Sequence, residues 1–180
     1  MVRIIEAITL SAVSVHTIVA LICDLRTRRI PNKWNLAAAI GGIGFHLITG
    51  GLAGFQYAML SMGVMLAIPL VLQLCGAIGG GDVKWFAALG AWSGLAFGLA
   101  VFMLTMIIAA LIGMGILIGQ GQLWGRLRAW FTALLFAVLY RNPAHLGVSR
   151  EQAALEMPLM IAVVPAVIAA YFRVNGGMYL

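Results

Sequence analysis

Charged residues are scarce in this chain of 180 amino acids. Only 9% of the residues are charged and 63% are hydrophobic. In a typical soluble domain, about 25% of the residues are charged and about 45–50% are apolar. So little polar surface does not cover a water-soluble globule, which excludes a soluble enzyme, a secreted disulfide scaffold and a disordered chain. We therefore expect an all-α polytopic membrane protein in which residues 1–180 form a single membrane-embedded domain.

Residues that form disulfides or bind metals are also few. The two cysteines, Cys23 and Cys75, are far apart and form no C-x-x-C pair, so neither a zinc module nor a disulfide framework is indicated. Three histidines (His16, His46 and His145) lack metal-ligand spacing. We expect no metal ion and no cofactor.

Basic residues exceed acidic ones, which gives a formal net charge of +6. There is no soluble basic domain to carry this charge, so nucleic acid is not expected as a partner. In membrane proteins, Lys and Arg concentrate in cytoplasmic loops. With the N-terminus outside, only Arg3 and Arg173 of the 11 basic residues lie at outside ends. The charge distribution therefore predicts an N-terminus outside and cytoplasmic loops after residues 23 and 74.

Long apolar runs are the main feature that is present. A spanning helix needs about 20 apolar residues, and we predict spans at residues 4–23, 35–48, 55–74 and 157–172. Residues 83–119 are too long for one crossing at about 1.5 Å per residue, so we expect two helices there, the first short, with a turn near residues 92–94. The shorter run at 123–140, with Arg126 and Arg128 at its start, predicts an interfacial or re-entrant amphipathic helix. The expected fold therefore has about six transmembrane helices plus one interfacial helix.

The chain contains two aspartates, Asp24 and Asp82, and both lie at predicted helix ends on the cytoplasmic side. Acidic residues in membrane segments are uncommon and frequently functional. In a structural interpretation, one aspartate caps a helix and the other pairs with a neighbouring Lys or Arg. In a catalytic interpretation, two carboxyl groups held close together share a proton. One of them then activates a water as general base, and the other protonates the scissile carbonyl.

Each aspartate belongs to a short motif. Asp24 is followed by Ile30-Pro31-Asn32, and Asp82 lies in the segment Gly79-Gly80-Gly81-Asp82-Val83-Lys84. The two segments resemble the motifs D-x5-I-P-N and G-x-G-D-x-K. They occur in the same order as those motifs, and both lie at predicted helix ends on one face of a chain of similar size. These are the motifs of the type IV prepilin peptidase family, the membrane aspartyl peptidases of the G-x-G-D class. The resemblance implies a peptidase domain with a catalytic pair, Asp24 and Asp82, and with motif or supporting positions at Gly79, Gly81, Lys84, Pro31 and Asn32.

The resemblance also implies a substrate and a location. Members of that family cut the short basic leader from prepilins at the cytoplasmic face of the inner membrane, just before an apolar segment. We therefore expect two partners, a prepilin with a transmembrane helix and the lipid bilayer, and a role in pilus biogenesis. Larger relatives carry paired C-x-x-C motifs and also methylate the trimmed pilin. The short first loop of this chain has no such motif, so no methyl transfer is expected.

The small size is similar to that of the peptidases of tight-adherence (Flp) pilus systems. A preflagellin or pseudopilin leader peptidase is the alternative. A non-enzymatic transporter or assembly subunit is less favoured, because such proteins bind ions near the bilayer midplane, commonly within repeated halves. The sequence has no internal repeat, and both aspartates lie near one face.

The predicted orientation is testable by cysteine labelling in a chain whose two native cysteines are replaced by serine. Arg28→Cys should react with a membrane-impermeant maleimide only after the cytoplasmic side is exposed, because the basic loop holds this position inside. A cysteine at Gly50 should react in intact cells. Labelling of position 28 in intact cells would show that the topology is the reverse of the predicted one.

Overall fold

The structure is a computed structural model that describes residues 2–121, 124, 125, 128 and 158–176. It contains four helices in this range: α1 (Val2–Thr27), α2 (Asn32–Leu74), α3 (Gly80–Gly119) and α4 (Met160–Gly176). Three of them, α1, α2 and α3, have stretches long and apolar enough to cross a membrane. The all-α class is thereby confirmed for the described part of the chain, and long apolar helices of this kind are typical of membrane proteins.

Helix α1 continues past residue 23, where the predicted span ends. It ends at Thr27 because Arg28 adopts a left-handed conformation with φ 50°, and the Arg28 N–H donates to the Asp24 carbonyl over 3.0 Å. This is a common way for a helix to satisfy its last carbonyls. Hydropathy marks the apolar part of a helix, whereas backbone hydrogen bonding decides where the helix ends. Asp24 therefore lies within the last turn of α1.

Helix α2 begins at Asn32, three residues before the predicted start. Pro31 precedes it in an extended conformation (φ −61°, ψ 129°), which is typical of a residue that caps a helix. Its carbonyl accepts from the N–H groups of Trp34 (3.1 Å) and Asn35 (3.3 Å). Residues 28–31 are therefore the whole connection between α1 and α2.

Helix α2 reverses direction at Gly51. This residue has φ 59° and ψ −145°, a combination that is essentially restricted to glycine. The rings of His46 and Tyr57 lie 5.8 Å apart, although about 16 Å would separate these positions along a straight helix. Helix α2 is thus a hairpin of two arms, residues 32–50 and 52–74, and its break coincides with the predicted one.

Helix α3 reverses in the same way at Gly94 (φ 78°, ψ 177°). The rings of Phe86 and Phe102 are 5.2 Å apart, whereas a straight helix would place them about 24 Å apart. The predicted turn near residues 92–94 is therefore confirmed, and the first arm is short, as expected. Two further glycines let both arms approach α2: a Cβ at Gly90 would lie 2.8 Å from Met65, and one at Gly98 would lie 3.1 Å from it.

The reversals divide the four helices of the described residues into six helical segments. That all six cross the bilayer stays a prediction, because the first arm of α3 is only about 21 Å long against an apolar core of about 30 Å. The predicted interfacial helix at 123–140 lies outside the described residues, apart from positions 124, 125 and 128. The chain packs as two units, one formed by Met1–Ile107 with Pro158–Leu180 and the other by Ile108–Met157.

The first arm of α3 lies at the centre of the first unit. Seven consecutive residues of this arm, 85–91, are buried, and the side chains of Trp85, Phe86 and Leu89 are fully enclosed. Helix α4 packs against α1. Asp82 is thus held at the start of the most enclosed helical segment of this unit.

The reversal at Gly94 is testable by substitution. A Cβ at this position would overlap the Tyr57 hydroxyl, and the backbone conformation is strained for any side chain. We expect Gly94→Ala to lower the free energy of unfolding by at least about 2 kcal/mol, measured by thermal unfolding in detergent micelles. The matched control is Gly113→Ala on the same helix, where no described atom lies within 4 Å of the new methyl group and the change should stay within about 1 kcal/mol. Equal stability of the two variants would contradict the reversal.

Candidate active site

The carboxylate of Asp24 is enclosed where the end of α1 meets the beginning of α4. Its side chain is only 8% exposed, and Oδ2 accepts a hydrogen bond from the backbone N–H of Met160 over 3.2 Å. Met160 is the first residue of α4, and the first N–H groups of a helix have no partner within that helix. The start of α4 therefore supplies both a donor and the positive end of a helix dipole to Asp24.

Asp82 reaches the same end of the molecule through a tight turn after α2. Gly76 has φ 77° and closes α2, with the N–H of Gly76 donating to the Gln73 carbonyl (2.8 Å) and the N–H of Ala77 to the Leu72 carbonyl (2.9 Å). Such paired bonds are the usual termination of a helix at glycine. Helix α3 starts at Gly80, so Asp82 lies in its first turn.

Gly79 makes room for the Asp82 carboxylate. The N–H of Asp82 donates to the Gly79 carbonyl over 3.1 Å, and the carboxylate accepts a hydrogen bond from the Gly79 backbone. A Cβ at position 79 would lie 3.1 Å from Oδ2 of Asp82, which is closer than nearly all real Cβ contacts. A side chain at this position would therefore force the carboxylate to shift by a few tenths of an ångström.

Three contacts hold residues 30–35 against the glycine-rich segment 79–84. The side-chain amide of Asn35 donates to the Gly81 carbonyl over 3.1 Å. Ile30 is buried beside Gly81, where an added Cβ would lie 3.6 Å from it. The ammonium group of Lys84 donates to Oδ1 of Asn32 over 2.8 Å. The I-P-N segment and the glycine-rich segment are thus held against each other at one end of the unit.

The structure therefore brings all the predicted site residues to the same end. Asp82 lies within electrostatic reach of Asp24, and both carboxyl groups are partly desolvated. The charge of a carboxylate acts more strongly on a neighbouring carboxyl group where water is partly excluded. This arrangement suits the sharing of one proton. Among the residues that the structure describes, no three His, Cys, Asp or Glu side chains come together to hold a metal ion.

The sequence profile of the Type IV leader peptidase family matches residues 11–114. The matched range covers more than half of the chain and contains both aspartates. This chain belongs to the type IV leader peptidase family. It is therefore a membrane protein and a peptidase of a family of the aspartic type, which confirms the family resemblance of its two motifs. A search of curated proteins and a search of solved structures each found no significant match.

Two supporting groups of this leader peptidase were not predicted from its sequence. Asn35 lies one turn after Asn32 on an otherwise apolar helix, and this isolated buried amide was the available signal. Met160 contributes a backbone N–H, and the identity of a side chain does not indicate where its backbone N–H binds. Pro31, for which no role was predicted, fixes the start of α2 and so aims both Asn32 and Asn35 at the glycine-rich segment.

The two amides that join the motifs should differ in their contribution to stability. Asn35 is 3% exposed, so Asn35→Ala removes a buried hydrogen bond to the Gly81 carbonyl and should cost about 0.5–1.5 kcal/mol. Asn32 is exposed, and its bond to Lys84 competes with water, so Asn32→Ala should cost less than about 1 kcal/mol. Thermal unfolding in detergent compares the two variants. A larger loss for Asn32→Ala would contradict the assignment of Asn35 as the main link.

Proposed function

We propose that this leader peptidase is a membrane aspartyl endopeptidase that removes the short basic leader from Flp-type prepilins at the cytoplasmic membrane face. Asp24 and Asp82 form its catalytic pair. The observation that carries the proposal is the convergence of the end of α1 and the start of α3, which places both carboxyl groups at one end of the unit. Each carboxyl group is held by a different backbone donor, so the two are positioned independently.

The reaction follows from one shared proton. The ionised carboxyl group takes a proton from a water, and the water oxygen adds to the scissile carbonyl carbon while the protonated carboxyl group donates its proton to the carbonyl oxygen. The tetrahedral intermediate then collapses. One hydroxyl of the intermediate returns its proton to the ionised carboxyl group, the C–N bond breaks, and the departing amine receives a proton from the other carboxyl group. The net reaction consumes one water and leaves both carboxyl groups as they began.

The charges around the pair support a cytoplasmic location. Four exposed basic side chains lie within ten residues of Asp24 along the chain: Arg26, Arg28, Arg29 and Lys33. Lys and Arg beside the ends of spanning helices are typical of the cytoplasmic side. The catalytic end of the unit accordingly faces the compartment in which a newly made prepilin carries its leader.

The short first connection supports the narrower assignment to the Flp type. Only residues 28–31 separate α1 from α2, and this segment has no cysteine. A cytoplasmic insertion with paired C-x-x-C motifs, as in the larger methylating relatives, has no place in this loop. The peptidase therefore trims pilin without methylating it.

The catalytic pair is tested by processing of a co-expressed Flp-type prepilin. We expect Asp24→Asn and Asp82→Asn each to reduce cleavage by at least about a hundredfold, because an amide of the same shape neither accepts nor donates the proton. Immunoblotting separates precursor from mature pilin, and mass spectrometry of mature pilin should find no N-terminal methyl group.

The matched control for that experiment is Glu6→Gln, the same acid-to-amide change at the other end of α1. This variant should mature prepilin at the normal rate, and all three variants should accumulate in the membrane. Normal maturation by either aspartate variant would contradict the assignment of the pair. A membrane that accumulates the wild-type chain but leaves every prepilin uncut would favour the non-enzymatic alternative.

A further inference from the structure

One polar side chain interrupts the apolar run that leads to the glycine-rich segment. Between Ser61 and Asp82, Gln73 alone carries an amide, a hydroxyl or a charge. It lies in the last turn of α2, at the end of the unit that holds the aspartates. An amide in apolar surroundings costs free energy unless it forms hydrogen bonds. A binding partner for the Gln73 carboxamide is therefore expected.

The carboxamide of Gln73 lies against the backbone of Gly80. A Cβ at position 80 would lie 2.9 Å from Nε2, 3.5 Å from Cδ and 3.7 Å from Oε1 of Gln73. These are the three atoms nearest to that point, so Gln73 occupies the space that a side chain at position 80 would fill. Position 80 is the variable one of the motif G-x-G-D, so the motif itself does not explain a glycine there. The contact with Gln73 does.

The carboxamide has no hydrogen-bond partner among the residues that the structure describes. A glutamine side chain offers two N–H donors and a carbonyl acceptor, and Gln73 is half-buried, so a ligand can reach it. The N–H groups of Gly80 and Gly81 likewise donate to no backbone carbonyl in the described part of the chain. Donors and an acceptor are thus available together at Gly80.

The proposed reaction needs groups of this kind. Within a helix, the N–H and C=O groups of a peptide are bonded along the helix, so attack on a peptide bond requires that the backbone around it be unwound. The N–H and C=O groups of an unwound backbone at the edge of an apolar core must find other partners. A carboxamide has both a donor and an acceptor, so it can bind the backbone of the substrate whatever its side chains are.

The glycine-rich segment places Gln73 near the catalytic pair. Gly79 lies against the Asp82 carboxylate, since a Cβ there would be 3.1 Å from Oδ2. Gly80, which Gln73 contacts, is the next residue, and consecutive Cα atoms are about 3.8 Å apart. A peptide bond beside Asp82 therefore has a flanking residue within reach of the Gln73 carboxamide.

We infer that Gln73 is a substrate-binding residue of this leader peptidase, and that its carboxamide bonds the extended backbone of prepilin beside the scissile bond. The inference rests on the proposed function and names a group that holds the cut segment in place. It gives Gly80 the role of leaving space for that group. Water would also satisfy the amide, but Gln73 would then have no effect on the affinity for substrate.

Kinetics in proteoliposomes with a Flp-type prepilin test the carboxamide. Gln73→Met keeps the length of the side chain but loses its hydrogen bonds, so KM should rise about five- to tenfold with little change in kcat. The matched control is Gln56→Met, the same change at an exposed position near the other end of the same arm. Its KM should equal that of the wild type, and both variants should unfold at the wild-type temperature.

A second variant tests the contact with Gly80. Gly80→Ala has to displace only the far end of the flexible Gln73 side chain, which costs little stability. It should raise KM about as much as Gln73→Met does. In the double variant, Gly80→Ala should have almost no further effect, because the carboxamide that it displaces is already gone.

The outcomes separate the inference from the proposed function. A KM for Gln73→Met equal to that of Gln56→Met would overturn the inference and identify water as the partner of the amide. A loss of stability and of kcat at constant KM would overturn it as well, since that pattern indicates a structural support. Additive effects in the double variant would overturn the role of Gly80. In each of these cases cleavage by the wild type leaves the proposed function standing, whereas a wild-type chain that cuts no prepilin overturns both.

Discussion

The reversal of α2 at Gly51 is the constraint on which the rest of the structure depends. If α2 were one straight helix over its full length, the glycine-rich segment that follows it would lie far from the end of α1. Because glycine alone adopts this backbone conformation at low cost, the chain turns back and returns Gly79 to the end of the unit where α1 terminates. The second reversal at Gly94 then folds α3 back on itself, so that both of its arms pack against Met65.

Helix ends supply the polar groups of a site in a chain that has few charges. Within an apolar surrounding, backbone groups must bond inside helices, so free N–H groups remain only where helices begin. Helix α4 begins beside Asp24 and donates the N–H of Met160 to it, and Asp82 lies in the first turn of α3. The backbone therefore provides both aspartates with donors that many polar sites draw from side chains.

The sequence by itself determined the membrane class, the two motifs and the two reversals, because composition, rare aspartates and glycine positions are local properties. It misplaced the end of α1 by four residues and the start of α2 by three, since apolar runs mark the bilayer core and backbone bonding marks the helix. Only the tertiary structure decided that the aspartates share one end, that Asn35 holds Gly81 and that Met160 supports Asp24. Those last two contacts join residues 46 and 136 positions apart, and no local pattern encodes a partner at such a distance.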